Sequence, residues 1–281
     1  MSSGVRNYEQ TSVVVKFLKS LARFILLFAL FLGFALLGFA HLAVVTLNND
    51  LPEDLSSMRE PPSIATLVYS ADGELIGEFY SKRRKIVDSD RIPEHMQQAI
   101  VAAEDARFWK HPGFDPLGII RAAISNFKGG GSRQGASTIT QQLSRMLVLS
   151  QERTYYRKLK ELVLAVRVEH FFDKRAILEM YLNRVYLGSG AYGVQAAAET
   201  YFGKNVEHLT VAEAAMLAGM VQRPSARSPK RDLLGARGRR TYVLRRMAQD
   251  GYISNEIFQS ADDEPVHLMS DTKGVTTFQA P

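Results

Sequence analysis

From Phe24 to Val45 the chain is apolar except for His41. That run is long enough to cross a hydrocarbon core of about 30 Å. Lys16, Lys19 and Arg23 precede it, and Asp50, Glu53 and Asp54 follow. The positive-inside bias therefore predicts a cytoplasmic N-terminus and places everything beyond Leu47 on the outer face of the membrane. A cleaved signal peptide would have a shorter apolar region and a small-x-small cleavage site, so an uncleaved single transmembrane helix is the expectation. His41 is read as an interfacial residue. Whatever chemistry follows is expected outside the cytoplasmic membrane and close to it.

Other global features narrow the class. With 281 residues the chain has room for one or two domains with a proper core. It has no cysteine, which excludes a disulfide framework and thiolate chemistry. Its formal charge is +6, with acids interleaved among the bases. A nucleic-acid binder would carry a denser basic stripe, whereas an anionic membrane surface or a phosphorylated ligand fits this balance. The expected organisation is a cytoplasmic tail over 1–15, the anchor over 16–47, a Pro-bearing linker over 48–64, a main domain over 65–250 and an extension or linker over 251–281. Ala65 to Tyr80 reads as two β-rich runs around Ala71-Asp72-Gly73, a β-hairpin. From Pro93 to about Met247 the pattern is helical, broken at Pro112, Gly129–Gly131, Gly188-Ser189-Gly190 and Pro224. Gly129 to Gly135 lacks the Walker lysine of a phosphate loop and is expected to be a flap or hinge. Asp262 to Pro281 is polar and aperiodic, like the start of a linker.

The stretch Val101 to Gly113, V-A-A-E-D-A-R-F-W-K-H-P-G, is the most chemically suggestive. A helix begins at Pro93 and shows an apolar face of Met96, Ala99, Ile100 and Ala103. Glu104 and Asp105 lie near its end, with Phe108 and His111 four and seven residues beyond Glu104. A continued helix would put those three on one side, although His111 precedes a proline and is expected to leave it. Desolvation at such a helix end raises a carboxyl pKa, as a general acid or base requires. A merely solvated E-D helix end is the competing reading.

Three further segments carry polar groups in unusual density. Gly135 to Gln142 reads G-A-S-T-I-T-Q-Q, followed by Arg145. Ser137 is expected to cap a helix there, and its free N–H groups to favour an anion. Arg157 to Glu161, R-K-L-K-E, places Glu161 within i, i+4 and i, i+3 of Arg157 and Lys158. Alone this is usually a solvated salt-bridge face; beside a phosphate it supplies cations for a leaving group. Glu179 to Asn183 (E-M-Y-L-N) leads into G-S-G-A-Y-G-V-Q-A-A-A, where Asn183 and Gln195 either orient ligand hydroxyls or give structural support. Glu213 to Ala218 reads as a core helix with one polar anchor.

Together and in this order, E-D-A-R-F-W-K-H-P-G, G-A-S-T-I-T-Q-Q, R-K-L-K-E, E-M-Y-L-N with its glycines, and E-A-A-M-L-A-G resemble the peptidoglycan glycosyltransferases of family 51. These occur as stand-alone enzymes and as the N-terminal domain of class A penicillin-binding proteins; the hairpin and the F-Q-A-P ending look more like the latter. The resemblance spans roughly Thr66 to Pro229. It implies a mainly α, lysozyme-like glycosyltransferase domain with a small N-terminal β-hairpin, preceded by the single transmembrane helix. It further implies polymerisation of lipid II into β-1,4-linked glycan with inversion and release of undecaprenyl diphosphate. By motif position, Glu104 would be the general base and Glu161 the second essential carboxylate, orienting cations or binding a divalent Mg2+ or Mn2+ ion. Asp105 would support Glu104, and Phe108 and His111 would shape the pocket. Ser137, Thr138, Gln141, Gln142 and Arg145 would line the donor side, with Arg145 replacing the lysine often found there. Arg157 and Lys158 would hold the diphosphate, and Asn183 would contact substrate.

The implied partners are lipid II, the nascent glycan strand, membrane lipid, the inhibitor moenomycin and other wall-synthesis or division proteins. No nucleic acid is among them. The apolar segment of Phe114, Leu117, Ile119, Ile120 and Phe127 is expected to dip into the outer leaflet. A hydrolase of finished glycan and a non-enzymatic scaffold are the alternatives. A hydrolase would have no need of the cations, and a degenerate scaffold would not keep every key position. No Ser-x-x-Lys set with its companions is present, so transpeptidation is not predicted for this chain.

Overall fold

The computed structural model describes residues 19–35, 37–38, 41–42, 45–46, 51–52, 54–59, 66–72, 75–80, 83–127, 137–148, 154–269 and 276–279. Two compact units result, Met1–Leu51 and Pro52–Pro281. In the first, residues 19–35 form a helix whose apolar side chains, Phe24, Leu27 and Phe31 among them, are exposed. Among the described residues no helix is long and apolar enough to cross a membrane. Part of the run from Phe24 to Val45 lies outside the described residues.

The second unit is mainly helical, as expected. Its first helix, α1 (Glu94–Glu104), starts behind Pro93, whose fixed φ and missing N–H suit a helix entrance. Met96, Ala99, Ile100, Val101 and Ala102 are buried on it. α2 (Pro116–Phe127), α3 (Ile139–Val148), α4 (Tyr155–Phe171) and α5 (Lys174–Leu182) follow, then α6 (Val194–Phe202), α7 (Val211–Met220), α8 (Leu233–Gln249) and α9 (Asn255–Asp263). The core is centred on α7, where Ala212 and every residue from Ala214 to Met220 are buried. A helix apolar on all sides must be enclosed, and α1, α8 and α9 enclose it. Thr210 and Glu213 close its N-terminus in a reciprocal capping box, which is the purpose of the polar anchor read in E-A-A-M-L-A. A second packed group joins α3 to α4 and α5. The two groups meet where Gln142 of α3 reaches Glu104 of α1.

The expected hairpin is present. β1 (Thr66–Tyr69) pairs antiparallel with β2 (Leu75–Tyr80), with Thr66 opposite Phe79 and a register shift between Val68 and Tyr69. Gly73 of the expected turn lies outside the described residues. Two-residue strands β3 (Arg83–Arg84) and β4 (Ala191–Tyr192) pair in parallel. The C-terminal segment departs from its linker-like reading. β5 (Thr276–Gln279) adds to β2 in parallel and completes a three-stranded sheet. Residues 255–263 are the helix α9, held by Arg240, whose guanidinium donates to the carbonyls of Asp262 and Glu264. The linker before the hairpin is also tied down. Arg167 donates to the Pro52 carbonyl at 2.8 Å and Arg184 to that of Met58 at 2.8 Å.

Candidate active site

Glu104 is the last residue of α1, and the helix ends on it. Asp105 has φ −158° and ψ 72°, so the expected helical alignment of Glu104, Phe108 and His111 does not form. The reason is a long-range competitor for the Asp105 carboxylate. Its oxygens accept from His111 Nε2 at 2.9 and 3.0 Å and from the Ile139 backbone N–H at 3.0 Å. Asp105 is thus the anion at the N-terminus of α3, where a ligand anion was expected. His111 and Phe108 are buried. Lys174 lies over the Phe108 ring at 4.5 Å and donates to the His111 carbonyl at 2.7 Å. All three side chains are buried at the turn that follows α1.

The start of α3 corrects a second expectation. The cap is Thr138, not Ser137, because the helix begins at Ile139. Thr138 Oγ1 accepts from the Gln141 N–H at 3.2 Å, and Gln141 Oε1 accepts from the Thr138 N–H at 3.2 Å. Thr138 Oγ1 also donates to the Gly113 carbonyl at 2.7 Å. Thr138 and Gln141 are buried and spent on this lock. Ser137 is instead half-buried and accepts from Lys158 Nζ at 3.0 Å. Asn183 is likewise not free for substrate. Its Oδ1 accepts from the Val87 N–H at 3.0 Å, and its Nδ2 donates to the carbonyls of Val87 at 2.8 Å and Glu179 at 3.2 Å. Gln195 is occupied by Glu199, Asn205 and the Val206 N–H. Gly129 to Gly135 and Phe127 lie outside the described residues for side-chain purposes, while Leu117, Ile119 and Ile120 are exposed on α2 instead of filling the core.

What remains exposed to chemistry is a smaller set. Gln142 donates from Nε2 to Glu104 Oε2 at 3.0 Å. Tyr181, on α5, donates its hydroxyl to Gln142 Oε1 at 3.0 Å, which fixes the amide with its NH2 toward the acid. Burial, with Glu104 adding to it, holds the Tyr181 hydroxyl well above its ordinary pKa, so it stays a donor. Glu104 Oε1 is buried with no hydrogen-bond partner among the described residues. Its carboxyl is pushed up to about 6, chiefly by desolvation; the Gln142 hydrogen bond and the charges of Arg239 and Arg227 pull the other way. A carboxylate with one free oxygen and that proton affinity can accept a proton near neutral pH.

The second focus is on α4. Thr154 caps it by accepting from the Arg157 N–H at 3.1 Å. Glu161 is buried, and its two oxygens meet Arg157 Nη1 and Lys158 Nζ, the latter at 2.9 Å. Lys158 remains about half exposed at its side chain, so a cation faces outward from a buried anionic post. Ser137 touches Lys158, and Gln142, five residues on, touches Glu104. Arg145 is exposed three residues beyond Gln142, one helical turn further.

Glu161 does not suit a divalent cation in this arrangement, since both oxygens already hold cations. Among the described residues no three His, Cys, Asp or Glu side chains are grouped to hold a metal. Three residues near the site were not singled out from sequence: Tyr181, Arg227 and Arg239. Tyr181 stands inside the E-M-Y-L-N motif. The arginines belong to a basic stretch whose spacing does not say which side chain turns inward.

A helical domain that carries a desolvated acid and a braced cation pair suits glycosyl transfer, and comparison with known proteins agrees. A family model described as Transglycosylase matches residues 72–248. The chain belongs to this family, the peptidoglycan glycosyltransferases. Penicillin-binding protein 1A of Aquifex aeolicus is 44% identical over 244 residues, which are 86% of this chain and 34% of that protein. The protein of the same name from Escherichia coli is 48% identical over 216 residues, 73% of this chain and 25% of its own length. The chain therefore spans about a quarter to a third of these relatives. The crystal structure of penicillin-binding protein 1A from Haemophilus influenzae is 28% identical over 77% of this chain and 23% of its own, with a TM-score of 0.47. That likeness is too low to bear on the fold.

Proposed function

We propose that this chain polymerises lipid II, a disaccharide-pentapeptide on undecaprenyl diphosphate, at the outer face of the cytoplasmic membrane. The observation that carries the reading is the division between a dry carboxyl with a free oxygen, Glu104, and cations held on a buried acid, Glu161. Glu104 takes the proton from the acceptor 4-hydroxyl as its oxygen bonds to the anomeric carbon of the growing strand. The anomeric C–O bond to the lipid diphosphate breaks with inversion from α to β. Arg157 and Lys158, with Arg145, neutralise the charge that gathers on the departing diphosphate. Such a leaving group needs no proton, so one base suffices; hydrolysis would instead demand a carboxylic acid at the leaving oxygen. Glu104 then releases its proton to solvent.

Gln142, aligned by Tyr181, positions the base, and Glu161 positions the cations. Asp105, Phe108, His111, Thr138, Gln141 and Asn183 hold the elements that carry them. The apolar run Phe24 to Val45 is the proposed anchor, with the exposed Leu117, Ile119 and Ile120 touching lipid. A divalent ion that takes part would arrive with the diphosphate, because both oxygens of Glu161 already meet cations. Moenomycin is expected to compete on the donor side, and other wall-synthesis proteins are the expected partners.

The test is to incubate detergent-solubilised protein with labelled lipid II and run the products with and without muramidase. Muramidase-sensitive polymer that disappears in Glu104→Gln supports the reading. Polymer made equally well by that variant, or no polymer from folded protein, overturns it.

A further inference from the structure

We infer that Lys174, acting through Glu169 and Thr140, is the positioning residue that sets the Gln142 amide against Glu104. This role rests on the reading of Glu104 as the base. Lys174 is the first residue of α5, where the helix dipole disfavours a cation. It stands there nevertheless, its side chain only 22% exposed and paired at 2.7 Å with Glu169, whose side chain is 8% exposed. A buried ion pair contributes little to stability once its desolvation is counted, and the transfer described above uses neither member. What else the pair holds accounts for its place.

Glu169 Oε1 also accepts from Thr140 Oγ1 at 2.5 Å. Thr140 is fully buried on the first turn of α3. At about 100° per residue, Thr140 and Gln142 point to nearly opposite sides of that helix. Glu169 therefore grips α3 on one side while Gln142 reaches Glu104 from the other. Lys174 Nζ donates in addition to the His111 carbonyl at 2.7 Å and lies 4.5 Å from the centroid of the Phe108 ring. That turn is pressed onto α4, since a Cβ at Gly113 would meet the Ala165 carbonyl oxygen at 2.7 Å and Glu169 Cγ at 3.1 Å. One ammonium thus ties the segment after Glu104 to the helix that carries Gln142.

α5 serves both ends of this linkage. Tyr181 lies seven residues after Lys174, which returns it to the same face of the helix. Its hydroxyl donates to Gln142 Oε1 at 3.0 Å, and α3 packs against both α4 and α5. Tyr181 sets which way the amide turns, and Lys174 sets where α3 places it. With the Lys174 contacts removed, α3 is still anchored by Asp105 at the Ile139 N–H and by Thr138 on the Gly113 carbonyl. The domain is then expected to fold with the approach of Gln142 to Glu104 no longer fixed.

The test is Lys174→Met in the full chain, which keeps the length of the side chain and removes its donors. The readouts are polymerisation of lipid II and the side-chain amide resonance of Gln142, assigned with Gln142→Ala. kcat should fall about five- to tenfold, as for one lost hydrogen bond. KM should stay within about twofold, because Arg157 and Lys158 lie at the other end of α4 from Glu169. The Gln142 amide proton bonded to Glu104 should move upfield, toward free glutamine. Lys174→Arg, which keeps the charge and more than one donor, should restore most of both. In a Gln142→Ala background Lys174→Met should lower kcat by less than about twofold, since the two residues act in series. Thr140→Val should reproduce the kcat loss and the amide shift in smaller measure, and it decides by the same readouts if Lys174→Met fails to fold. An unmoved amide resonance, a rise in KM at constant kcat, or equal kcat losses in the two backgrounds would make Lys174 merely structural and overturn the inference. An amide that moves while Glu104→Gln and Gln142→Ala polymerise normally would instead sink the base assignment and leave the linkage standing.

Discussion

Glu104 and Glu161 are both desolvated acids on helices, and their surroundings give them opposite work. Glu161 has a cation on each oxygen, one of them facing outward. Glu104 has an amide on one oxygen and nothing on the other, with its nearest cations acting only through space. A buried acid saturated with cations is a post that fixes them. A buried acid left half-bonded is reactive toward protons. The identity of the partners, more than depth, separates holding from reacting.

Four experiments sharpen or break this contrast. The largest effect is expected from replacing both Arg157 and Lys158 with Ala, which should cut polymerisation from lipid II by about a thousandfold or more, since each donor to a developing anion contributes about 10²–10³. Full activity would end the assignment of a diphosphate site to α4. Glu161→Ala should do nearly as much by releasing the two cations from their post. It should also lower stability in urea titration by about 2 kcal/mol or more, as when one member of a buried pair is removed; the half-exposed Lys158 keeps the figure at the low end.

The third concerns pH, and its sign follows from the direction of the shift. Glu104 binds a proton more tightly folded, at about 6, than at its ordinary 4.5. Its ionisation therefore costs stability above about pH 6, and the cost vanishes below about 4.5. One and a half units correspond to about 2 kcal/mol. Glu104→Gln should accordingly be more stable than the parent at pH 7.5 by up to about that amount, with the gain lost by pH 4 in paired urea curves. A variant equally stable at both pH values would mean that the site is wetter than described. The smallest effect is expected from Tyr181→Phe, which frees the Gln142 amide to turn and should lower kcat by about tenfold or less, in line with a single neutral hydrogen bond.

The sequence carried the local signals well and the tertiary ones poorly. Pro93 announced the start of α1, the two β-rich runs around Ala71-Asp72-Gly73 announced the hairpin, and the i, i+3 and i, i+4 spacing of Arg157, Lys158 and Glu161 is what the structure contains. The misreadings share one cause. Asp105 ends its helix early because it serves an N–H thirty-four residues away, and Asn183 is occupied by the backbone of Val87. Neither partner is visible from the motif that contains the residue. Thr138 was legible in principle, since T-x-x-Q at its own spacing is a capping box. Arg239 was not, because α8 is rich in arginine and only the packing shows that Arg240 is buried and that Arg239 lies against Gly219.

The small sheet has a mechanical meaning. β1 enters beside Phe79, and β5 leaves beside Tyr80, both at the same end of β2. Tension applied between those two points pulls the outer strands off the central one from that end. The ladder bonds then break one after another instead of sharing the load in shear. The sheet is therefore a compliant link that yields at low force, and the helices carrying Glu104 and Glu161 lie outside the path of the pull.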